Sequence, residues 1–410
     1  MSSYKKNYNY FKGVFLVTGT CIGAGMIGVP VKTAAAGFLP TLAAFGVVWL
    51  VMTISALLLL EVSLSFPGEV NFISMTNAMF GKLGRNIAWV ICLLFMYSIM
   101  AAFASGGATM ITRLFPIDIK IAILIFMLPF VVIIDLGPKW VAIVNRILTI
   151  IVIASFMLLC ITIVFSKTHA LQPVKNLFIH TNLKVLLFSL PVIVTTFAYH
   201  EIIPSLKFYL KEEIFPLKMA IILGGIIPLI VYIAWELVIL LLVPVFGTEG
   251  LISMLHSNKN PGDSLINYLL QSHQNAKILV FLVSFSFCAL ACSLTGTAWA
   301  LFDFFADGLN ITKNRKGKIL LSCLTFLPSI MYAVIFPQGF LKALGFAGAF
   351  SAIIMIIYPA LMAYKLRSQK SIVTELPVKY RVPVNKPLII VILLFGVFIL
   401  ILEGISNFAK

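Results

Sequence analysis

The chain has 410 residues, of which 61% are hydrophobic and 11% charged, and its mean hydropathy is +1.08. Soluble domains carry about 25% charged residues, so a water-soluble globule is excluded. The net charge of +16 would suit a nucleic-acid binder, but about 20 of the cations flank one side of the apolar runs and about 10 the other, which is the positive-inside bias of a membrane protein.

Many apolar runs exceed the roughly 18 residues that argue a spanning helix, and the alternation of a membrane barrel is absent. About eleven spans are expected on the 20-residue rule. They lie near 13–36, 40–66, 87–112, 119–136, 139–165, 185–205, 217–245, 277–306, 317–336, 340–364 and 387–408. The polar start with Lys5, Lys6 and Lys12 is not followed by a small-residue cleavage site, so the first span is expected to be retained. The clusters Lys313 to Lys318 and Lys365 to Lys386 orient the chain with a cytoplasmic N-terminus and an external C-terminus. Residues 67–86 read as an internal loop with Gly81 and Gly84. Residues 246–276 read as an external loop, with a turn at Asn260-Pro261-Gly262-Asp263 and a short interfacial helix over Ser264 to Leu270.

Two spans are interrupted. The first holds four glycines and a proline between Gly19 and Pro30, far more than a helix interior tolerates. The sixth runs Pro191, then Thr195-Thr196-Phe197-Ala198-Tyr199-His200-Glu201, then Pro204, polar at membrane depth. Non-helical backbone at that depth must be buried in protein or line a cavity. The breaks are about 175 residues apart, at matching positions of a five-plus-five inverted repeat, the pattern that marks a transporter binding site. The chain therefore reads as one transporter domain over 1–410, with repeats at 13–165 and 185–364 and an added helix at 387–408.

Chemistry is expected at those breaks. A half-helix starting at Gly23-Ala24-Gly25 offers free N–H groups and a positive dipole end to a carboxylate, with Thr20, Cys21 and Met26 beside it; the alternative is a glycine packing seam. The second break would offer carbonyls to an ammonium, with Phe197, Ala198 and Tyr199 as wall or gate. His200 titrates in the physiological range, and Glu201 beside it could tune that titration; both are candidates for proton coupling against a merely satisfied buried histidine. Glu61 and Asp303 lie late in the second and eighth spans, as inner gates or as partners of loop cations. Glu236 is a weaker candidate, while Asp135 and Asp307 read as solvated. Ser293, Thr295 and Thr297 are weak sodium ligands, since hydroxyls in membrane helices more often bond backbone. The six cysteines read as packing residues, and no metal or cofactor motif follows.

The run Gly19-Thr-Cys-Ile-Gly-Ala-Gly-Met-Ile-Gly-Val-Pro30 resembles the first span of the aromatic amino acid permeases, the tyrosine- and tryptophan-specific transporters of the hydroxy/aromatic amino acid permease family, nearest the tyrosine-specific ones. The likeness continues through Leu57-Leu-Leu-Leu-Glu-Val62, Phe197-Ala-Tyr-His-Glu-Ile-Ile-Pro-Ser205, Leu301-Phe-Asp-Phe-Phe-Ala-Asp307, Phe326-Leu-Pro328 and Phe336 to Gly348. It implies an all-α LeuT-type fold of the amino acid/polyamine/organocation superfamily, with discontinuous helices 1 and 6. It also implies proton-coupled import of tyrosine, tryptophan or phenylalanine across a bacterial inner membrane, without a cofactor. By matching position it puts Gly23, Ala24 and Gly25 at the substrate carboxylate and the segment Phe197 to His200 in the pocket. His200, Glu61 and Asp303 match family positions, whereas Ala198 and Glu201 depart from a glycine-richer pattern. A serine/threonine or sodium-coupled symporter, or a sensor on the same fold, is the alternative reading; a membrane enzyme or a channel fits less well.

Overall fold

In a bilayer every backbone polar group must be satisfied within the protein, so apolar runs of this length fold as helices. The computed structural model describes residues 9–23, 25–164, 182–256, 261–272, 276–336, 347–348, 350–368 and 380–408, and no strand occurs among them. In chain order the helices are α1 (Asn9–Cys21), α2 (Gly25–Thr33), α3 (Phe38–Ser65), α4 (Phe72–Leu114), α5 (Ile119–Leu136), α6 (Pro138–Val164), α7 (Leu183–Thr196), α8 (Ile203–Tyr209) and α9 (Ile214–Leu242). After them come α10 (Leu251–His256), α11 (Pro261–Ser272), α12 (Ala276–Gly308), α13 (Arg315–Ile335), α14 (Tyr358–Ser368) and α15 (Lys386–Phe408). Ten described stretches are long and apolar enough to cross a membrane, the α7–α8 pair counting as one. The first crossing is α1 with α2, whose 13 and 9 residues each fall short of the roughly 20 that a span needs. The expected eleven crossings are therefore present.

Burial sorts the helices into a centre and a rim. The most apolar windows of α7–α8 and of α12 are 72% buried within the protein, whereas those of α5, α6 and α13 are 33% and that of α15 is 28%. The rim helices turn residues such as Leu128, Val132, Ile147, Leu327 and Val391 outward, where lipid replaces protein as the apolar partner. The sixth span therefore lies in the middle of the bundle, and α1 of the first span is likewise buried along most of its length.

One face of the bundle collects the charges. There Lys207, Lys313, Lys318, Lys365 and Arg367 bond to the ends of α3, α4, α5 and α12. We call it the basic face. On the opposite face the short helices α10 and α11 pack over α2.

Two expectations change. The segment 67–86 is mostly helix: Asn71 accepts from the Phe72 N–H at 2.7 Å and starts an arm that runs to Gly81. Gly81, at φ 68°, turns the chain into the span proper. Phe72, Met75 and Met79 bury one side of that arm while Asn77 and Ala78 stay exposed, so a surface helix formed where the glycines suggested a loop. The predicted turn at 260–263 is instead the start of α11, with Pro261 at its first position, where a missing N–H costs nothing; Asn260 lies outside the described residues. The start of the tenth span, 340–346, also lies outside them; its described part contains a π turn, Ile353–Ile357. A π turn frees a carbonyl from the helical ladder, and Ser55 Oγ donates to the Met355 carbonyl there.

Candidate functional site

Both breaks are local consequences of sequence. α1 stops at Cys21, and Ile22 and Gly23 bend the chain before α2 begins at Gly25; the Met26 N–H donates to the Gly23 carbonyl at 3.2 Å. Pro30, which looked like part of the interruption, lies inside α2. In the sixth span Pro191 is likewise accommodated within α7, and the break is confined to Phe197, Ala198 and Tyr199. Tyr199, at φ −152° and ψ 7°, leads into a single 3-10 turn, His200–Ile202, and Pro204 then takes an early position of α8. Helix resumes at Ile203, and Pro204 is tolerated in that first turn because the N–H it lacks would have no helical partner there.

The two breaks meet. The hydroxyl of Tyr232, on α9, lies 2.7 Å from the Cys21 carbonyl and 2.7 Å from the Thr196 carbonyl, the last residues of α1 and α7. One hydroxyl proton cannot serve both acceptors at once. The Cys21 thiol supplies a second donor to Thr196 O at 3.1 Å. Two orphan carboxyl-terminal ends are thus satisfied by a tyrosine and a cysteine. Nothing in the apolar run around Tyr232 singled it out.

On the other side of α1 lies α12. Ser293 Oγ is 3.0 Å from the Thr20 carbonyl, 3.3 Å from that of Ile22 and 3.5 Å from that of Gly19. Thr295 bonds its own helix at Ala291 O, and Thr297 Oγ1 donates to Glu201 Oε1 at 3.4 Å. Of the three hydroxyl candidates, Ser293 meets the first break, Thr297 meets the second and Thr295 meets neither. The Thr20 hydroxyl also bonds within its helix, to Leu16 O.

The glycines divide into two groups. A Cβ on Gly19 would come within 2.5 Å of Asn145 Oδ1, and one on Gly296 would overlap Thr20 Oγ1. One on Gly23 would stand 2.5 Å from Ser293 Oγ. These are close-packing positions, and Gly23, for which a packing seam is the alternative, is one of them. At Gly28 an added Cβ would meet nothing within 4 Å. Gly28→Ala should therefore leave stability within about 0.5 kcal/mol, while Gly19→Ala should cost about 1–3 kcal/mol by overpacking, as thermal unfolding of the purified protein would register. Equal tolerance at both positions would contradict this helix spacing.

The aromatic candidates are already engaged. Phe197 sets its ring edge-on to Tyr232, with centroids 5.3 Å apart, and Tyr199 stacks on His200 at 5.2 Å. Phe197, Tyr199, His200, Glu201, Ala198, Cys21 and Met26 are all buried. Ala24 lies outside the described residues. Neither ring nitrogen of His200 has a hydrogen-bond partner, nor does Glu201 Oε2. Around Gly225 three more buried groups converge: an added Cβ there would lie 3.2 Å from Trp49 Nε1, 3.5 Å from the Tyr199 hydroxyl and 3.6 Å from Thr53 Oγ1, and none of the three polar atoms has a partner. A buried polar group without a partner costs free energy, so polar groups with unused hydrogen-bonding capacity gather beside the sixth-span break.

The carboxylates at the basic face behave differently. Glu61 receives two bonds from Arg367, Nε to Oε1 at 2.7 Å and Nη2 to Oε2 at 2.5 Å, and a third from the Val382 N–H at 2.7 Å. Asp303 pairs with Lys313 at 2.9 Å, and Lys313 reaches Glu69 at 2.8 Å. Burial opposes the charge on Lys313, but Asp303 and Glu69 outweigh it and hold the ammonium above the ordinary lysine range. These ions rim a cavity of about 410 Å³ that also touches Pro204, Ser205 and Phe208. Asp307, expected to be solvated, instead accepts from Ser74 N at 3.2 Å and Ser74 Oγ at 2.8 Å, which caps the start of α4. Glu236 accepts from the Thr33 hydroxyl at 2.7 Å. Sequence reasoning passed over Lys207, buried on α8, whose ammonium donates to the carbonyls of Ser63, Phe66 and Gly68 at 3.0, 2.7 and 3.1 Å. Among the described residues no His, Cys, Asp and Glu group is placed to hold a metal ion, and all six cysteines are free.

A sequence profile described as the tryptophan/tyrosine permease family matches residues 6–403. The chain belongs to the tryptophan/tyrosine permease family. Among its relatives, the tyrosine-specific transport system 1 of Haemophilus influenzae is 32% identical over 94% of each chain. The tryptophan-specific transport protein of Pseudomonas aeruginosa is 28% identical over 94% of this chain and 92% of that one. The low affinity tryptophan permease of Escherichia coli is 27% identical over 89% of each. A solved manganese transporter from Eremococcus coleocola superposes with a TM-score of 0.64 at 14% identity, over 99% of this chain and 87% of that one. That likeness concerns the fold alone, and with the paired broken helices it makes this permease a LeuT-type membrane protein. It is a multi-pass transport protein rather than an enzyme.

Proposed function

We propose that this permease carries aromatic amino acids, tyrosine foremost, together with protons, by alternating access around the paired breaks. The observation that carries the proposal is the join at Tyr232. Two interrupted helices end within hydrogen-bonding distance of one side chain, in a chain of this family. The substrate carboxylate would sit at the amino-terminal end of α2, against Gly23, Ala24, Gly25 and Met26, where free N–H groups and the helix dipole favour an anion. Its ammonium would use the second lone pairs of the Cys21 and Thr196 carbonyls, beside Thr20. Phe197, Ala198 and Tyr199 would wall the side chain, and the two five-helix repeats, 13–165 and 185–364, would rock about this point.

Glu201 carries the coupling in this proposal. It is buried, its one described partner is the Thr297 hydroxyl, and His200 adjoins it. A lone charge is costly in such a place, so the carboxyl would travel protonated when the site is closed and release its proton when the site opens to water. Asp303 and Lys313 would form the inner gate, and Glu61 with Arg367 the fixed frame against which it moves. With about twice as many cations on the basic face, the positive-inside rule puts that face and the N-terminus in the cytoplasm and the C-terminus in the periplasm of a bacterial inner membrane.

The test is uptake of labelled tyrosine into liposomes holding the purified protein, under an imposed pH gradient or an imposed sodium gradient. Tryptophan, phenylalanine, serine and leucine serve as competitors. Accumulation driven by inward protons and blocked by the aromatics is expected. Sodium coupling is the second reading, favoured by the three carbonyls gathered at Ser293 Oγ, and accumulation on sodium alone would establish it. Tyrosine binding without uptake would make the protein a sensor; competition by serine alone would move it to small hydroxy substrates. Within the proton reading, Glu201→Gln should cut pH-driven accumulation to the counterflow level while tyrosine counterflow continues. Full accumulation by that variant would remove Glu201 from the coupling.

A further inference from the structure

The rim helices α5 and α13 enclose a groove of about 710 Å³ between them, outside the transport site. Its walls are Leu128, Val131 and Val132 of α5 and Ile319, Phe326 and Leu327 of α13, with Ile330 at its deep end. Leu128, Val132, Ile319 and Leu327 are each more than half exposed, so the groove opens sideways to the hydrocarbon. At the basic face it ends in Lys313, Arg315 and Lys318, with Asp135 opposite. Lys313 is committed to Asp303 and Glu69. Arg315 is exposed, and Lys318 holds the Asp135 carbonyl with one of its three ammonium protons. The mouth is therefore cationic even with Asp135 ionised.

We propose that this groove is a binding site for one anionic glycerophospholipid of the adjoining leaflet, its phosphate at Arg315 and Lys318 and an acyl chain along the α5–α13 seam. Three features fit that occupant. The groove is amphipathic in the right order, charged at one end and apolar along the rest. Its length on α13, from Arg315 to Ile330, is about 22 Å at 1.5 Å per residue, which matches half of a 30 Å hydrocarbon core plus a headgroup layer. One turn deeper than Lys318, Ser322 lines the groove with its side chain 8% exposed and its hydroxyl without a partner. A buried hydroxyl without an acceptor is costly; about 6 Å below the phosphate site, rotation about its Cα–Cβ bond would bring it to the ester carbonyl of a seated lipid. Basic pockets between membrane helices are suited to anionic headgroups. The site would fasten α5, which belongs to the first repeat, to α13, which belongs to the second.

The experiment is native mass spectrometry of the full-length protein in detergent, titrated with phosphatidylglycerol and, separately, with phosphatidylcholine. One tightly bound phosphatidylglycerol is expected, and no comparable phosphatidylcholine. Arg315→Gln with Lys318→Gln should weaken it about 30-fold, each cation near the surface contributing about fivefold. Leu327→Trp, a change on the lipid-exposed wall that alters no charge, should also displace the lipid by filling the groove. Lys82→Gln with Arg85→Gln, an exposed and a half-buried cation on the same face and outside the groove, should leave binding intact. Equal loss in that control would mean diffuse attraction to a basic face and would overturn the site. So would unchanged binding in the Arg315 and Lys318 variant, or in Leu327→Trp. Elution of each variant as a monodisperse peak on size exclusion separates lost binding from lost fold.

Discussion

Arg367→Ala should cost the folded protein about 3–5 kcal/mol and leave little material that survives extraction from the membrane. The guanidinium is 3% exposed and Glu61 1% exposed. The fork of Arg367 meets both carboxylate oxygens, and its remaining donors reach the Val384 carbonyl at 2.5 Å and the Val382 carbonyl at 3.0 Å. It thus ties α3 and α14 to the segment that leads into α15. A buried pair adds little over an apolar pair, because both ions lose their hydration, but removing one partner strands the other charge. Thermal unfolding followed by fluorescence size exclusion is the measurement. Glu61→Leu combined with Arg367→Leu should lose clearly less than the sum of the two single variants, since neither charge is then stranded. A stable Arg367→Ala protein would show that Glu61 finds water or another cation, and would make Glu61 a candidate proton carrier.

Tyr232→Phe should lower both stability and transport. The variant keeps the ring, with its edge contact to Phe197, and removes one oxygen. That oxygen is 2.7 Å from the final carbonyls of α1 and α7. Thr196 O retains the Cys21 thiol, so one buried carbonyl is left unsatisfied, at about 1–3 kcal/mol. Because the loss falls where the two half-helices must keep register, the uptake rate should fall by about tenfold, as 1.4 kcal/mol on a barrier implies. Cys21→Ala alone should be milder, since a thiol is the weaker donor and the hydroxyl that remains can serve either carbonyl. The double variant should lose about the sum of the two singles, because two donors serve two carbonyls and each lost donor leaves one more carbonyl unserved. Initial rates of tyrosine uptake, normalised to folded protein, decide it. Wild-type rates in Tyr232→Phe would mean that the join at Tyr232 is packing only, and would remove the main support for placing substrate there.

The broken spans were legible because their signals are local. Glycine density, Pro204 and polar residues within an apolar run each disfavour a continuous helix. Their extent was read less well. Pro191 and Pro30 stayed inside helices, because neighbouring groups can satisfy the carbonyl that a proline frees. The arm from Phe72 to Phe80 was taken for loop because a nine-residue amphipathic stretch lacks the length of a span, and burial of Phe72, Met75 and Met79 depends on helices distant in sequence.

The sequence by itself determined the membrane class, the number of crossings, the central place of spans one and six and the family, since hydropathy, span length and motif order are properties of the chain read along its length. Only the tertiary structure decided which candidates do which work. Glu61 and Asp303 are held by cations, Asp307 caps α4, Ser293 faces the first break and Thr295 does not. Tyr232, Arg367 and Lys207 became visible only there. Tyr232 reaches a carbonyl 36 residues away, Lys207 one 139 away and Arg367 a carboxylate 306 away, and no local pattern encodes a hydrogen bond between groups so far apart. The reason is physical: a buried donor is defined by the acceptor that folding brings to it.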